Sequence, residues 1–171
     1  MRGLAQLPNE YFNKFSDKPV NIKPFDPASR KIAREYIQTL RKLLENFNLE
    51  LIHRGSTAFG IAGKGDIEIG IYPKQSDWDR VLEKLTQKYG QAGNLEENYA
   101  RFNDTFKKRE IEIIVMKGHE AKVDKKLTRY LISHPDLLKQ YEELKHQYAF
   151  SKREYMIQKN RFLTRVVETI F

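Results

Sequence analysis

A chain of 171 residues that is 40% apolar is long enough for one domain burying roughly two-thirds of its unfolded surface, which excludes a disordered segment. Its 31 lysines and arginines against 23 acidic residues leave a net charge of +8, favouring acidic partners such as nucleotides, nucleic acid or anionic surfaces. Cysteine is absent, so disulfides, a thiolate nucleophile and a Cys-ligated zinc are excluded; no window approaches the ~20 apolar residues of a membrane span, no apolar signal-peptide region opens the chain, and a cytoplasmic protein with no membrane association is expected.

Residues 1–25, broken by Pro8, Pro19 and Pro24, read as an irregular N-terminal arm with at most a short edge strand around "PVNIKPF". Asp26 as N-cap and Pro27 at the first helical position open an amphipathic helix with Ile32, Tyr36, Leu40, Leu43 and Phe47 at helical spacing. "LELIHR" reads as a strand running into a Gly55-Ser56 turn. "DIEIGIYP" is a second strand, with Ile67, Ile69 and Ile71 on one face and Asp66, Glu68 and Gly70 on the other. A Ser-x-x-Asp capping box at Ser76 to Asp79 predicts the next helix, which Gly90 and Gly93 end.

Two more strands are expected at 98–106 and 109–116, the second placing Glu110 and Glu112 on one face. From about Lys122 the chain is helical in character, with a second capping box at Ser133 to Asp136 and a last helix from about Lys152. The expected class is α+β: a small mixed sheet with flanking helices. The expected division is the arm 1–25, an α/β core 26–118 and a C-terminal helical segment 119–171 packed on the core.

Residues two apart on a strand point the same way, so Asp66 and Glu68 present carboxylates to one side, roughly 6.5 to 7 Å apart along the backbone. Paired carboxylates are what two-metal phosphoryl and nucleotidyl transfer requires, with ions about 3.5 to 4 Å apart. Glu112 is the candidate third carboxylate, with Glu110 the alternative, and such oxygen ligands suit Mg²⁺ or Mn²⁺. Gly55 would let the backbone approach a phosphate, and Ser56 would offer it an N–H and a hydroxyl. Lys64 is either a phosphate contact or a surface lysine. A solvated strand face is the ordinary alternative for all of these acids.

The pattern Gly55-Ser56, a nine-residue spacer Thr57 to Gly65, Asp66-Ile67-Glu68-Ile69 and a later Ile111-Glu112-Ile113 resembles nucleotidyltransferases of the DNA polymerase β type, with Arg54 where those proteins carry a hydrophobic residue. A closer resemblance is to the GrpB family, on His53, Gly55-Ser56-Thr57-Ala58, Gly60-Ile61 and Lys64, and on "RYLISHPDLLKQYEELKHQYA" and "YMIQKNRF" in the tail. The chain departs from that family in lacking two prolines and one residue of the loop, and in carrying Asp66 and a Glu at 68.

The resemblance implies a nucleotidyltransferase-like fold that binds a nucleoside triphosphate with Mg²⁺ or Mn²⁺ and transfers a nucleotidyl group to a hydroxyl acceptor on a small molecule, protein or RNA. In that reading Asp66, Glu68 and Glu112 are catalytic and hold the metals. Gly55, Ser56, Lys64, Arg129, Lys145 and Lys159 bind the nucleotide, although Arg129, Lys145 and Lys159 also fit a solvated basic helix face. Two other classes stay open: a non-catalytic GrpB-like module that binds a nucleotide or assists a protein partner's folding, and a basic RNA-binding domain.

Overall fold

The computed structural model describes residues 6–171, so the first five residues of the arm lie outside the description. From there the arm holds a 3-10 helix, Asn9–Lys14, and pairs once with the core through an antiparallel bridge between Lys23 and Gly63. The elements that follow are α1 Ala28–Leu43, β1 Leu49–Arg54, α2 Gly55–Phe59, β2 Ile67–Pro73, α3 Trp78–Tyr89, β3 Asn94–Glu96, β4 Tyr99–Phe106, β5 Arg109–Met116, α4 Gly118–Ile132, α5 Pro135–Gln147 and α6 Lys152–Ile170. No helix among the described residues is long and apolar enough to cross a membrane.

The five strands form one sheet in the order β1-β2-β5-β4-β3, in which only β2 and β5 run parallel. A parallel pair needs a crossover, and α3, β3 and β4 supply it. The period-two pattern sorts the side chains of the central strands. Ile67, Ile69, Ile71, Ile111, Ile113 and Val115 are buried against Tyr36 and Leu40 of α1 and Val81 and Leu85 of α3. Each such side chain contributes about 1.5–3 kcal/mol relative to exposure. The opposite face carries Glu68 and Tyr72 of β2 and Glu112, Ile114 and Met116 of β5, and Ala121 of α4 packs there on Tyr72, Ile114 and Met116. α4, α5 and α6 share a second core around Leu127, Leu131, Leu138, Tyr141, Phe162 and Val166, which also takes in Ile61 of the loop after α2.

Several expected boundaries shift for local reasons. The Gly55-Ser56 turn is the first turn of a short helix, α2, closed by Gly60 in the left-handed region. Asp26 caps α1 from one residue further out, its carboxylate accepting from the Ala28 N–H at 2.9 Å. Ser76 makes no capping box, because a 3-10 turn over Gln75–Asp77 precedes α3 and moves its start to Trp78. Ser133 closes α4 instead of opening α5, its hydroxyl donating back to the Tyr130 carbonyl at 2.9 Å. A side-chain N-cap does form at Ser151, whose hydroxyl accepts from the Glu154 backbone N–H at 3.3 Å and opens α6. α4 starts at Gly118, four residues before the expected Lys122.

Candidate functional site

The parallel register of β2 and β5 sets Glu68 directly beside Glu112, and the antiparallel register of β1 sets Arg54 on the other side of Glu68. Asp66 lies just ahead of β2. Arg54, Glu68 and Glu112 open on a cleft of about 850 Å³ bounded by the sheet, the N-terminal arm and α6, whereas the buried Asp66 is not part of its lining. Among the described residues six cations, Lys14, Arg54, Lys64, Arg101, Lys152 and Lys159, line it against three carboxylates, Glu68, Glu96 and Glu112, with Tyr11, Tyr99 and Tyr155 as aromatic walls.

Arg54 is the hub on the sheet side. Its Nη1 donates to Glu68 at 2.9 Å and its Nη2 to Asp124 of α4 at 2.7 Å, and the Tyr72 hydroxyl donates to the second oxygen of Asp124 at 2.5 Å. Asp124 is fully buried, and both of its oxygens accept hydrogen bonds, as burying a carboxylate requires. Burial opposes the guanidinium's charge, but Asp124 and then Glu68 outweigh it and raise its pKa further. Its Nε is buried with no hydrogen-bond partner among the described residues.

Asp66 is buried and accepts from the half-exposed Lys64 ammonium at 2.9 Å. Burial pushes the Asp66 carboxyl up, but Lys64 overcomes it and holds the acid below its ordinary value. Glu112 goes the other way: burial and the neighbouring Glu68 charge push its pKa up. Lys159 on α6, with the Tyr141 and Tyr155 phenols and Glu68 around it, retains its proton well above the lysine range. Glu110 is exposed, pairs with Thr105 and is not part of the cleft wall.

The loop expected to grip phosphates is engaged internally. Gly55 has φ +74°, and a Cβ there would lie 2.3 Å from Glu68 Oε1, so the glycine makes room for a carboxylate. The Ser56 hydroxyl accepts from the Lys145 ammonium, which also donates to the Ala62 carbonyl at 2.9 Å. Lys145 is fully buried, and burial followed by the nearby Lys159 lowers its pKa to about 7. His53 bonds Thr57 across 3.0 Å, and burial lowers its pKa to about 4. Of the expected nucleotide-binding cations, Lys64 and Lys159 reach the cleft. Lys145 lies behind α2, and Arg129 is exposed, beside Glu50 at 3.5 Å.

The oxygens of Asp66, Glu68 and Glu112 are donors of the kind Mg²⁺ or Mn²⁺ takes. As arranged they do not fit a two-metal centre. Lys64 holds Asp66, Arg54 holds Glu68, and no three His, Asp or Glu side chains among the described residues converge on a point that could hold an ion. Sequence reasoning missed Asp124 and Tyr72. Their signal was an acid set among the apolar Val123 and Leu127 of α4, and a tyrosine on the strand face that carries the acids.

A family model described as GrpB protein matches residues 19–169. No curated protein matches the chain significantly. Among solved structures, the conserved protein GrpB from Enterococcus faecalis superposes with a TM-score of 0.68 at 18% identity, covering 87% of this chain and 98% of that one, which shows a shared fold. Cid1 in complex with the UTP analog UMPNPP gives 0.49 at 15% identity, covering 79% of this chain and 41% of that one. Leishmania infantum polymerase beta in a ternary gap complex gives 0.44 at 10% identity, covering 81% and 49%. The chain therefore spans less than half the length of the latter two.

Proposed function

This chain belongs to the GrpB family, and on that footing we propose that its cleft binds a nucleoside triphosphate through the phosphates. The observation that carries the reading is the lining of the 850 Å³ cleft, where cations outnumber carboxylates. Lys159 and Arg101, with the half-exposed Lys64 that also pairs with Asp66, hold phosphate oxygens through charge-assisted hydrogen bonds, which are stronger than neutral ones. Tyr99 offers a face for a base. The C-terminal segment 119–171 contributes by bringing Lys159 over the sheet, and the protein works in the cytoplasm.

A second reading is transfer of a nucleotidyl group to a hydroxyl acceptor. It is supported by the Glu68 and Glu112 pair: burial, and then the Glu68 charge beside it, push the Glu112 pKa up, as suits a group that passes a proton. It is the weaker reading, because Arg54 and Lys64 already neutralise two of the three acids that Mg²⁺ or Mn²⁺ would need.

Thermal melts with each NTP test the binding reading. Ligand at 100 times its Kd adds about 2.7 kcal/mol, which raises Tm by roughly 5–10 °C for a chain of this size. The shift is expected in the wild type and lost in Lys159→Gln. No shift with any NTP, or an equal shift in the variant, overturns the reading; pyrophosphate release with Mn²⁺ present promotes the second.

A further inference from the structure

Arg54 stands where the acids of the cleft would otherwise need an external cation. Its side chain is 15% exposed, and its fork spans Glu68 at 2.9 Å and the fully buried Asp124 at 2.7 Å. Arg54 holds Glu68 Oε2, and Oε1 packs toward Gly55, in the space that a Cβ there would fill. A divalent ion bound by Glu68 needs a carboxylate oxygen at about 2.0–2.1 Å in near-octahedral surroundings. At Oε2 that ion would compete with a guanidinium that already compensates the charge. A guanidinium never loses its charge in proteins and cannot dissociate from the chain.

We infer that Arg54 is a built-in counter-cation that positions Glu68 and keeps this cleft independent of divalent metal, leaving Arg101 and Lys159 to meet an anionic ligand. Asp124 and Tyr72 form the anchor that holds the guanidinium on the sheet: Tyr72 donates to the Asp124 oxygen that Arg54 does not use. The inference rests on the contacts of Arg54 and not on nucleotide binding, so either can fail without the other.

Electron paramagnetic resonance of free Mn²⁺, titrated with protein and no nucleotide, is the test. The wild type and Arg54→Lys, which retains the charge, are expected to leave the Mn²⁺ signal undiminished. Arg54→Met alone strands the Asp124 charge, so the informative variant is Arg54→Met/Asp124→Asn, which keeps an acceptor for Tyr72 and is checked for folding by circular dichroism. It is expected to bind Mn²⁺ at least tenfold tighter than the wild type, and adding Glu68→Gln is expected to abolish that binding. Wild-type Mn²⁺ binding that Glu68→Gln removes, or a folded double variant that binds no better than the wild type, overturns the inference. If the double variant does not fold, the wild type and its Glu68→Gln variant decide it alone.

Discussion

Gly55→Ala separates the two roles open to the glycine, admitting a phosphate or admitting Glu68. The residue has φ +74°, where an L-residue costs roughly 1–2 kcal/mol. The new methyl carbon would also sit 2.3 Å from Glu68 Oε1 and 2.6 Å from its carboxyl carbon, forcing the carboxylate off Arg54. Hydrogen bonds to charged groups are worth about 1.5–3 kcal/mol, so the total loss is roughly 3–5 kcal/mol. Urea denaturation followed by circular dichroism measures it. In a Glu68→Ala background the clash is gone and only the backbone cost of roughly 1–2 kcal/mol remains, giving a coupling of roughly 1.5–3 kcal/mol in the double-mutant cycle. A loss below about 1 kcal/mol, or the same loss in both backgrounds, would refute the placement of Glu68 against Gly55.

Lys145 titrates near about 7 in the folded chain against 10.5 for an ordinary lysine, so between those values the unfolded chain carries a proton that the folded one lacks. Stability therefore rises with pH across that window, by up to about 1.4 kcal/mol per pH unit, and the difference in denaturation free energy between the wild type and Lys145→Met should show that slope. Tyr72→Phe leaves one oxygen of the buried Asp124 unanswered and is expected to cost about 1–3 kcal/mol by chemical denaturation. Arg129→Ala touches only an exposed pair with Glu50 and should change stability by no more than about 0.5 kcal/mol, with NTP-induced melting shifts intact.

The strand faces were legible because a period of two leaves little choice: Ile67, Ile69 and Ile71 could only be core, and Glu68 had to face away from them. The family resemblance was legible from His53, Gly55-Ser56-Thr57-Ala58, Gly60-Ile61 and Lys64 and from the motifs of the tail. That Glu112 would stand near Glu68 was expected from the family-like pattern and not from local periodicity, because the two come side by side through a parallel pairing closed by a crossover of α3, β3 and β4. Ser56 and Lys145 were each expected to bind the nucleotide, and no local pattern joins them to each other. Their contact points inward, since Lys145 rises from α5 behind the loop and its ammonium is satisfied by Ser56 and the Ala62 carbonyl. Arg54 stood out as a departure from a hydrophobic position, yet its partner Asp124 lies 70 residues away on α4. Ion pairs across such distances follow from tertiary packing, which composition and spacing do not encode.

Calorimetric titration of the wild type, Lys64→Gln and Lys159→Gln with one NTP, each with and without Mg²⁺, tests whether the cleft's own cations hold the phosphates. The account predicts one site in the wild type with the same Kd in the presence and absence of Mg²⁺, and a Kd weakened roughly tenfold or more by Lys159→Gln, as loss of a charge-assisted hydrogen bond implies. An affinity that is indifferent to both lysines, or that appears only with Mg²⁺, would contradict it.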